Sequence, residues 1–181
     1  MSMSLTFEPW IGDKYHGKGL NGLKLFILGE SHYGEEGNEH SSLTRHVVRK
    51  WGQKNRHRFF TTTAKVVLGL GSDYISDSER ADFWGRVAFG NYIQTYVAED
   101  AETRKRPTDE MWTEAQEALP SMIEKTNPDA MIVLGPEVER HLPELPNSLP
   151  HHAIKHPSQY FRYEKWQPDL QDFLQSVRSA A

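Results

Sequence analysis

Two short segments combine residue types suited to acid–base and hydrogen-bonding chemistry: residues 29–33 (Gly-Glu-Ser-His-Tyr) and 156–158 (His-Pro-Ser). Glu30 directly follows an apolar run, so its carboxylate would be partly desolvated and could orient a water or stabilise a cationic transition state. His156 ends another such run, and its imidazole could donate a hydrogen bond to a developing anion. Both also have structural interpretations, Glu30 as a loop cap or salt-bridge partner and His156 as an ordinary buried histidine.

An amide and several aromatic rings are further candidates. Asn91 lies inside an apolar run, where its side chain could hydrogen-bond the edge of a planar base or tie down a neighbouring loop. Phe59, Phe60 and Tyr33 offer flat surfaces for stacking, although aromatic rings belong more often to the core than to a ligand site.

A histidine metal site is a weaker hypothesis. His151, His152 and His156 are close in sequence, but consecutive residues of a strand point to opposite faces, and no His-x-x-x-His or His-Glu-x-x-His pattern occurs. The chain has no cysteine, which excludes disulfides, thiol catalysis and thiolate metal sites. We therefore predict no metal and no cofactor, with a metal-dependent hydrolase built on the three histidines as an alternative.

The elements that must position these residues alternate between strands and helices. Continuous apolar runs predict four strands, at residues 24–29, 87–93, 130–135 and 151–156. Helical spacing of apolar residues and terminal signals predict helices at 42–51, 61–70, 107–125 and 163–177. This order predicts a single α/β domain over residues 1–181, a three-layer α/β/α fold with a central, mostly parallel four-stranded sheet. Because open parallel sheets bind ligands beyond the carboxyl ends of their strands, Glu30, Asn91, Gly135 and His156 are expected to converge.

Composition and charge constrain the setting. No apolar run approaches the roughly 20 residues of a membrane helix, and the N-terminus lacks a signal-peptide pattern, so we expect a cytoplasmic, monomeric protein without membrane contact. The net charge is −4, yet residues 45–58 carry six basic residues and no acid, and Arg104-Lys105-Arg106 forms a second basic cluster. These clusters suit transient contact with phosphates, or are simply a solvated helix face and a loop.

With these positions identified, the order of motifs resembles the uracil-DNA glycosylase superfamily over roughly residues 24–175. Residues 29–33 resemble the first motif of that family, and residues 59–64 resemble the segment whose phenylalanine stacks on uracil. Residues 89–93 resemble the strand whose asparagine reads the uracil edge. The segments 106–108 and 127–135 follow in the family's order, and residues 155–158 match its second catalytic motif.

The resemblance implies an enzyme that hydrolyses the N-glycosidic bond of uracil or another deaminated base, in single-stranded or mismatched duplex DNA. Glu30 would then orient the attacking water and His156 would stabilise the departing base. Asn91 would read the base edge, and Phe60 or Phe59 would stack on the base. The remaining site residues implied by the resemblance are Gly29, Ser31, His32 and Tyr33 around the base, Pro157 and Ser158 at a phosphate, and Tyr160 or Phe161 as the wedge that enters the base stack.

The chain departs from the family pattern at several points. It lacks the cysteines of the iron–sulfur branches whose spacing it best matches, so no cluster is expected. Ser31 and His32 replace the usual residues after the acid, and Gln159 stands where many members have proline. These departures keep a second hypothesis open, a catalytically diverged member that binds nucleic acid or nucleotide without cleaving it.

Overall fold

A five-stranded sheet forms the centre of the computed structural model, which describes residues 4–100, 102, 105–146, 149–158 and 160–181. The spatial order of the strands is β1-β3-β2-β4-β5. β2 pairs in parallel with β3 and β4, and β4 pairs in parallel with β5, whereas β1 pairs antiparallel with β3. The strands are β1 (Trp10–Ile11), β2 (Leu25–Gly29), β3 (Ala88–Asn91), β4 (Ala130–Leu134) and β5 (His151–Ile154).

The prediction of four strands is wrong by one, because β1 was not anticipated. This strand is two residues long and lies at the edge of the sheet, with Trp10 opposite Phe89 and Ile11 opposite Ala88. Two residues are too few for any periodicity to show in the sequence. The four predicted strands are all present, and β2 and β4 are buried at every position, as expected for parallel strands covered on both faces.

Helices cover both faces of the sheet. They are α1 (Leu43–Val47), a π-helical continuation (Val48–Lys54), α2 (Arg58–Leu68), α3 (Asp77–Arg86), α4 (Asp109–Thr126), α5 (Pro136–Arg140) and α6 (Tyr163–Ala180). The predicted helices correspond to α1 with its continuation, α2, α4 and α6. Helix α3 was missed because it carries several charged residues, although a capping box of Ser76 and Glu79 marks its start. The short α5, which follows β4, was missed as well.

The alternation of side chains along β2 divides the core into two layers. Leu25 and Ile27 pack with residues of α2, α3 and α6, whereas Phe26 and Leu28 pack with residues of α4 such as Leu119. This arrangement confirms the three-layer α/β/α fold. None of the helices in the described part of the chain is both long and apolar enough to cross a membrane.

Candidate functional site

A cavity of about 1020 Å³ opens at the carboxyl ends of the parallel strands. Glu30 follows β2, Asn91 ends β3, Gly135 follows β4 and His156 lies two residues beyond β5, and all four line this cavity. The topology thus brings together the strand ends that the sequence predicted to converge. We call this space the site cavity.

Glu30 is held by an arginine from a distant part of the chain. The two Nη atoms of Arg106 donate to Oε1 and Oε2 of Glu30 at 3.0 and 2.9 Å, a bidentate ion pair. The Glu30 side chain is only 15% exposed, while that of Arg106 is 60% exposed. The Glu30 carbonyl accepts from the backbone N–H of Ile93 at 2.9 Å, which fixes the residue between the ends of β2 and β3. In the sequence, Arg106 stands out only as part of a basic cluster, and no local pattern indicates this contact.

His156 presents a largely buried imidazole to the same cavity. Burial, and secondarily the positive charge of Arg106, lower its pKa to about 4, so the ring is uncharged near neutral pH. Its centroid lies 5.2 Å from that of Phe59, with the two planes inclined by 36°. The carbonyl of His156 accepts from the backbone N–H of Ser158 at 2.8 Å, and this bond holds the backbone of His156 to the following turn. A neutral imidazole keeps one N–H, and this group can donate to a developing anion.

The two neighbouring phenylalanines at the start of α2 have different surroundings. Phe60 is 4% exposed and packs edge-on against Trp84, with ring centroids 5.0 Å apart, so it belongs chiefly to the core. Phe59 is only partly buried and lies between Phe89 and His156 on the cavity side. Both rings border the cavity, but Phe59 offers more surface to a ligand than Phe60, a choice that the sequence left open.

Asn91 borders the cavity, and Gly29, which is not among the lining residues, pairs with it where β2 and β3 end side by side. A Cβ atom at Gly29 would lie 2.3 Å from Oδ1 of Asn91, so the amide occupies the space that only glycine leaves open. The Asn91 side chain is 7% exposed, and the carbonyl of the same residue accepts from Nε2 of Gln94 at 3.1 Å. The contact with Gly29 places Oδ1 of Asn91 at the end of β2, beside the paired strand ends.

The three residues after Glu30 differ in their relation to the cavity. His32 is buried against the protein: its Nε2 hydrogen-bonds Thr44 Oγ1 at 2.9 Å, and its ring packs edge-on against Phe7. Burial, followed by the charge of His40, lowers the pKa of His32 to about 4. Ser31 is partly buried, and Tyr33 is 43% exposed where it borders the cavity.

The loop after β5 separates the site cavity from a second one. Pro157 is buried and Ser158 is exposed, and Ser158 borders both cavities. Tyr160 is 85% exposed and Phe161 is partly buried. Two residues discussed from the sequence, Gln159 and Arg104, lie outside the described residues.

The histidines considered for a metal site do not converge. His151 is exposed, whereas His152 stacks on Phe173 with centroids 5.3 Å apart, and His156 faces the site cavity. No group of three histidine, aspartate or glutamate side chains suited to a metal ion occurs among the residues that the structure describes. The geometry thus gives no support to the metal-dependent hydrolase.

Comparisons with known proteins add no relative: neither a scan against protein-family models nor a search of curated proteins returns a match to this chain. Fold and site together define a three-layer α/β protein with a polar and aromatic cavity at the carboxyl edge of its sheet. Within that cavity stand a carboxylate, an uncharged imidazole, a fixed amide and a partly accessible aromatic ring.

Proposed function

We propose that the protein is a DNA glycosylase that hydrolyses the N-glycosidic bond of uracil or another deaminated base. The observation that carries the proposal is the convergence of Glu30, His156, Asn91 and Phe59 on one cavity. A base to be excised must leave the stack and enter a pocket that reads its edge and its face. The volume of about 1020 Å³ is near the upper end of the range for small-molecule sites, enough for a nucleoside and part of its backbone.

Base recognition falls to Phe59 and Asn91. The ring of Phe59 provides the stacking surface, and the amide of Asn91, held against Gly29, offers one donor and one acceptor to the base edge. The position of Phe59 beside His156 would place a stacked base within reach of the imidazole. His32 is anchored to Thr44 and leaves room for the base.

Bond cleavage moves the electron pair of the C1′–N bond onto the departing base and leaves positive charge on the sugar. His156 donates its N–H to the oxygen on which the negative charge develops, and its low pKa keeps it a neutral donor throughout the physiological range. Glu30 offsets the sugar cation and orients the water whose oxygen forms the new bond to C1′. The water's proton then passes to the expelled base or to solvent.

Arg106 must release at least one oxygen of Glu30 for this mechanism to operate. Its exposed side chain makes such a release feasible, and a DNA phosphate is a suitable replacement partner for the guanidinium. Ser158, on the same side of the cavity as His156, would donate its hydroxyl to a second phosphate, and Pro157 would shape the turn that presents it. Substrate binding and activation of Glu30 are then linked.

The test is cleavage of labelled oligonucleotides carrying uracil, hypoxanthine or xanthine, as single strands and as mismatched duplexes. Alkali-sensitive breaks at the modified base are expected. His156→Ala should lower the rate about 100- to 1000-fold, the usual effect of removing one pre-organised donor. Glu30→Gln should lower it by about 100-fold or more, since it retains the shape of the side chain but loses its charge.

His151→Ala is the matched control, because it removes an exposed histidine of β5 that does not line the site cavity. Its rate should equal that of the unmodified protein. A loss below tenfold in His156→Ala would refute the role assigned to that residue. Failure of the folded protein to cleave any of these oligonucleotides would refute the glycosylase.

One observation favours a second candidate, a non-cleaving protein that binds nucleic acid or nucleotide. Both oxygens of Glu30 are engaged by Arg106, which is a stable arrangement for a structural ion pair. A binding protein would retain affinity for an oligonucleotide with a modified base and lose it in Asn91→Ala, without any cleavage. The glycosylase predicts cleavage in the same samples.

A further inference from the structure

A second cavity, of about 600 Å³, lies beside the site cavity and shares two wall residues with it, Arg58 and Ser158. Its other lining residues are Thr62, Tyr160, Phe161 and Tyr163. We propose that this flanking cavity binds the nucleotide next to the extruded one, so that the protein takes its DNA as a single strand. The inference rests on the proposed function, because it assumes that the target base enters the site cavity.

The wall of the flanking cavity combines aromatic rings with positive charge. Phe161 and Tyr163 form an edge-on pair with centroids 5.3 Å apart, and Nζ of Lys65 lies 5.0 Å from the centroid of the Tyr163 ring. Arg58 lies on the border between the two cavities, where the backbone of a strand passing from one to the other would run. Rings that stack on bases and cations that follow the phosphates are the usual components of single-strand binding sites.

Tyr160 is the most exposed of these rings and is held in an unusual backbone conformation. Its side chain is 85% exposed, and its φ of 59° lies in the left-handed region, which residues other than glycine rarely adopt. The carbonyl of Tyr160 accepts from Nζ of Lys155 at 3.5 Å. The strained backbone holds the Tyr160 ring out in solvent, where a stacked base would shield it from water.

The position of the cavity favours a single strand over a duplex. In a duplex, the base beside the extruded one stays paired and stacked, and it cannot enter a cavity. In a single strand, two consecutive bases can turn into two adjacent cavities while their phosphates pass Arg58 and Ser158. If Tyr160 instead acted as a wedge that fills the gap in a duplex stack, its replacement would weaken the binding of duplexes alone.

Binding is measured by fluorescence anisotropy with a labelled oligodeoxythymidine, alone and annealed to its complement. This probe contains no deaminated base, so binding can be followed without cleavage. The single strand is expected to bind more tightly than the duplex. Tyr160→Ala should weaken single-strand binding about 5- to 150-fold, the range for loss of one base–aromatic stack, and Tyr160→Phe should retain it.

Tyr74→Ala is the matched control. Tyr74 is 76% exposed with Cζ of Arg56 at 4.9 Å from its ring centroid, yet it is not among the residues lining either cavity. Its replacement should leave binding unchanged. Equal losses in Tyr74→Ala and Tyr160→Ala, an effect of Tyr160→Ala confined to the duplex, or no preference for the single strand would each overturn the inference.

The outcomes separate this inference from the proposed function. Single-strand binding that depends on Tyr160, without excision of any modified base, supports the flanking cavity and refutes the glycosylase. Excision that is equally fast in single strands and duplexes, and unchanged in Tyr160→Ala, supports the glycosylase and refutes the flanking cavity.

Discussion

One buried histidine, His32, and one partly buried histidine, His156, make the stability of this fold sensitive to mild acid. The pKa values of His32 and His156 are both about 4 in the folded protein, lowered mainly by burial, against about 6.5 for an exposed histidine. As the pH falls below 6.5, the unfolded chain binds protons at these sites while the folded chain does not. The stability present above pH 6.5 is therefore lost progressively as the pH falls towards 4.

The expected loss follows from these pKa values. At about pH 5 an unfolded histidine is almost fully protonated, whereas a folded one with a pKa of about 4 is mostly neutral. Each histidine then costs about 2 kcal/mol relative to about pH 8, and the pair about 4 kcal/mol. A typical domain has about 5–15 kcal/mol of stability, so this loss is readily measured. Carboxylates with lowered pKa values, such as Asp77 and Asp82, affect stability only below about pH 4. Burial also lowers the pKa of His57, which adds to the loss in the same direction.

The free energy of unfolding is measured by urea denaturation at several pH values between about 5 and 8. Tryptophan fluorescence monitors the unfolding. His32→Gln and His156→Gln should each remove about 2 kcal/mol of the pH-dependent loss, whatever their effect on stability at high pH. His151→Gln, at an exposed position, should remove little. A loss below about 1 kcal/mol in the unmodified protein, or an equal effect of His151→Gln, would refute the reasoning.

Three further predictions concern close contacts and the ion pair. Gly29→Ala should lower excision about tenfold or more with the fold retained by circular dichroism, because its Cβ would lie 2.3 Å from Oδ1 of Asn91; unchanged kinetics would show that the amide's position is unimportant. Arg106→Gln should raise the KM for the oligonucleotide with little loss of kcat, since it removes a phosphate ligand and frees the carboxylate; a fall in kcat alone would contradict this. Gly52→Ala should destabilise the fold by about 1–3 kcal/mol in urea, because its Cβ would lie 2.9 Å from Cγ of Trp84; unaltered stability would show that the ring can move aside.

The parts of the fold that follow from local patterns could be predicted from the sequence. β2 is apolar at four consecutive positions because helices cover both of its faces, and the same holds for β4. The helix after residue 107 has an N-cap, with Thr108 Oγ1 accepting from the N–H of Met111, and it ends at Asn127 with a φ of 43°. These signals depend only on residues close together in the sequence, so they can be read without the structure. Once the strands are known to be parallel, their carboxyl ends must lie at the same edge of the sheet.

Other features could not be predicted from the sequence. They depend on contacts between distant residues, or on the direction in which a given helical residue faces. Arg106 reaches Glu30 across 76 positions, and nothing near either residue specifies this pairing. The choice between Phe59 and Phe60 depends on which way the first turn of α2 faces, and adjacent helical residues differ by about 100°. Edge strand β1 exists only because β3 offers it unpaired backbone groups.

The Glu30–Arg106 pair connects these structural facts with the chemistry of the site. A carboxylate neutralised by a guanidinium stabilises a sugar cation less well than a free one, so the same contact that keeps Glu30 stable when partly buried also restrains it. In the proposed glycosylase, a DNA phosphate would compete for the exposed partner, Arg106, and not for Glu30, which is largely buried. Under this proposal, binding of the strand would free the negative charge of Glu30 just before a sugar cation forms. A binding protein has no use for this exchange. The kinetic signature of the exchange is a raised KM with little loss of kcat in Arg106→Gln, against a lowered kcat in Glu30→Gln, and this contrast separates the two candidate functions.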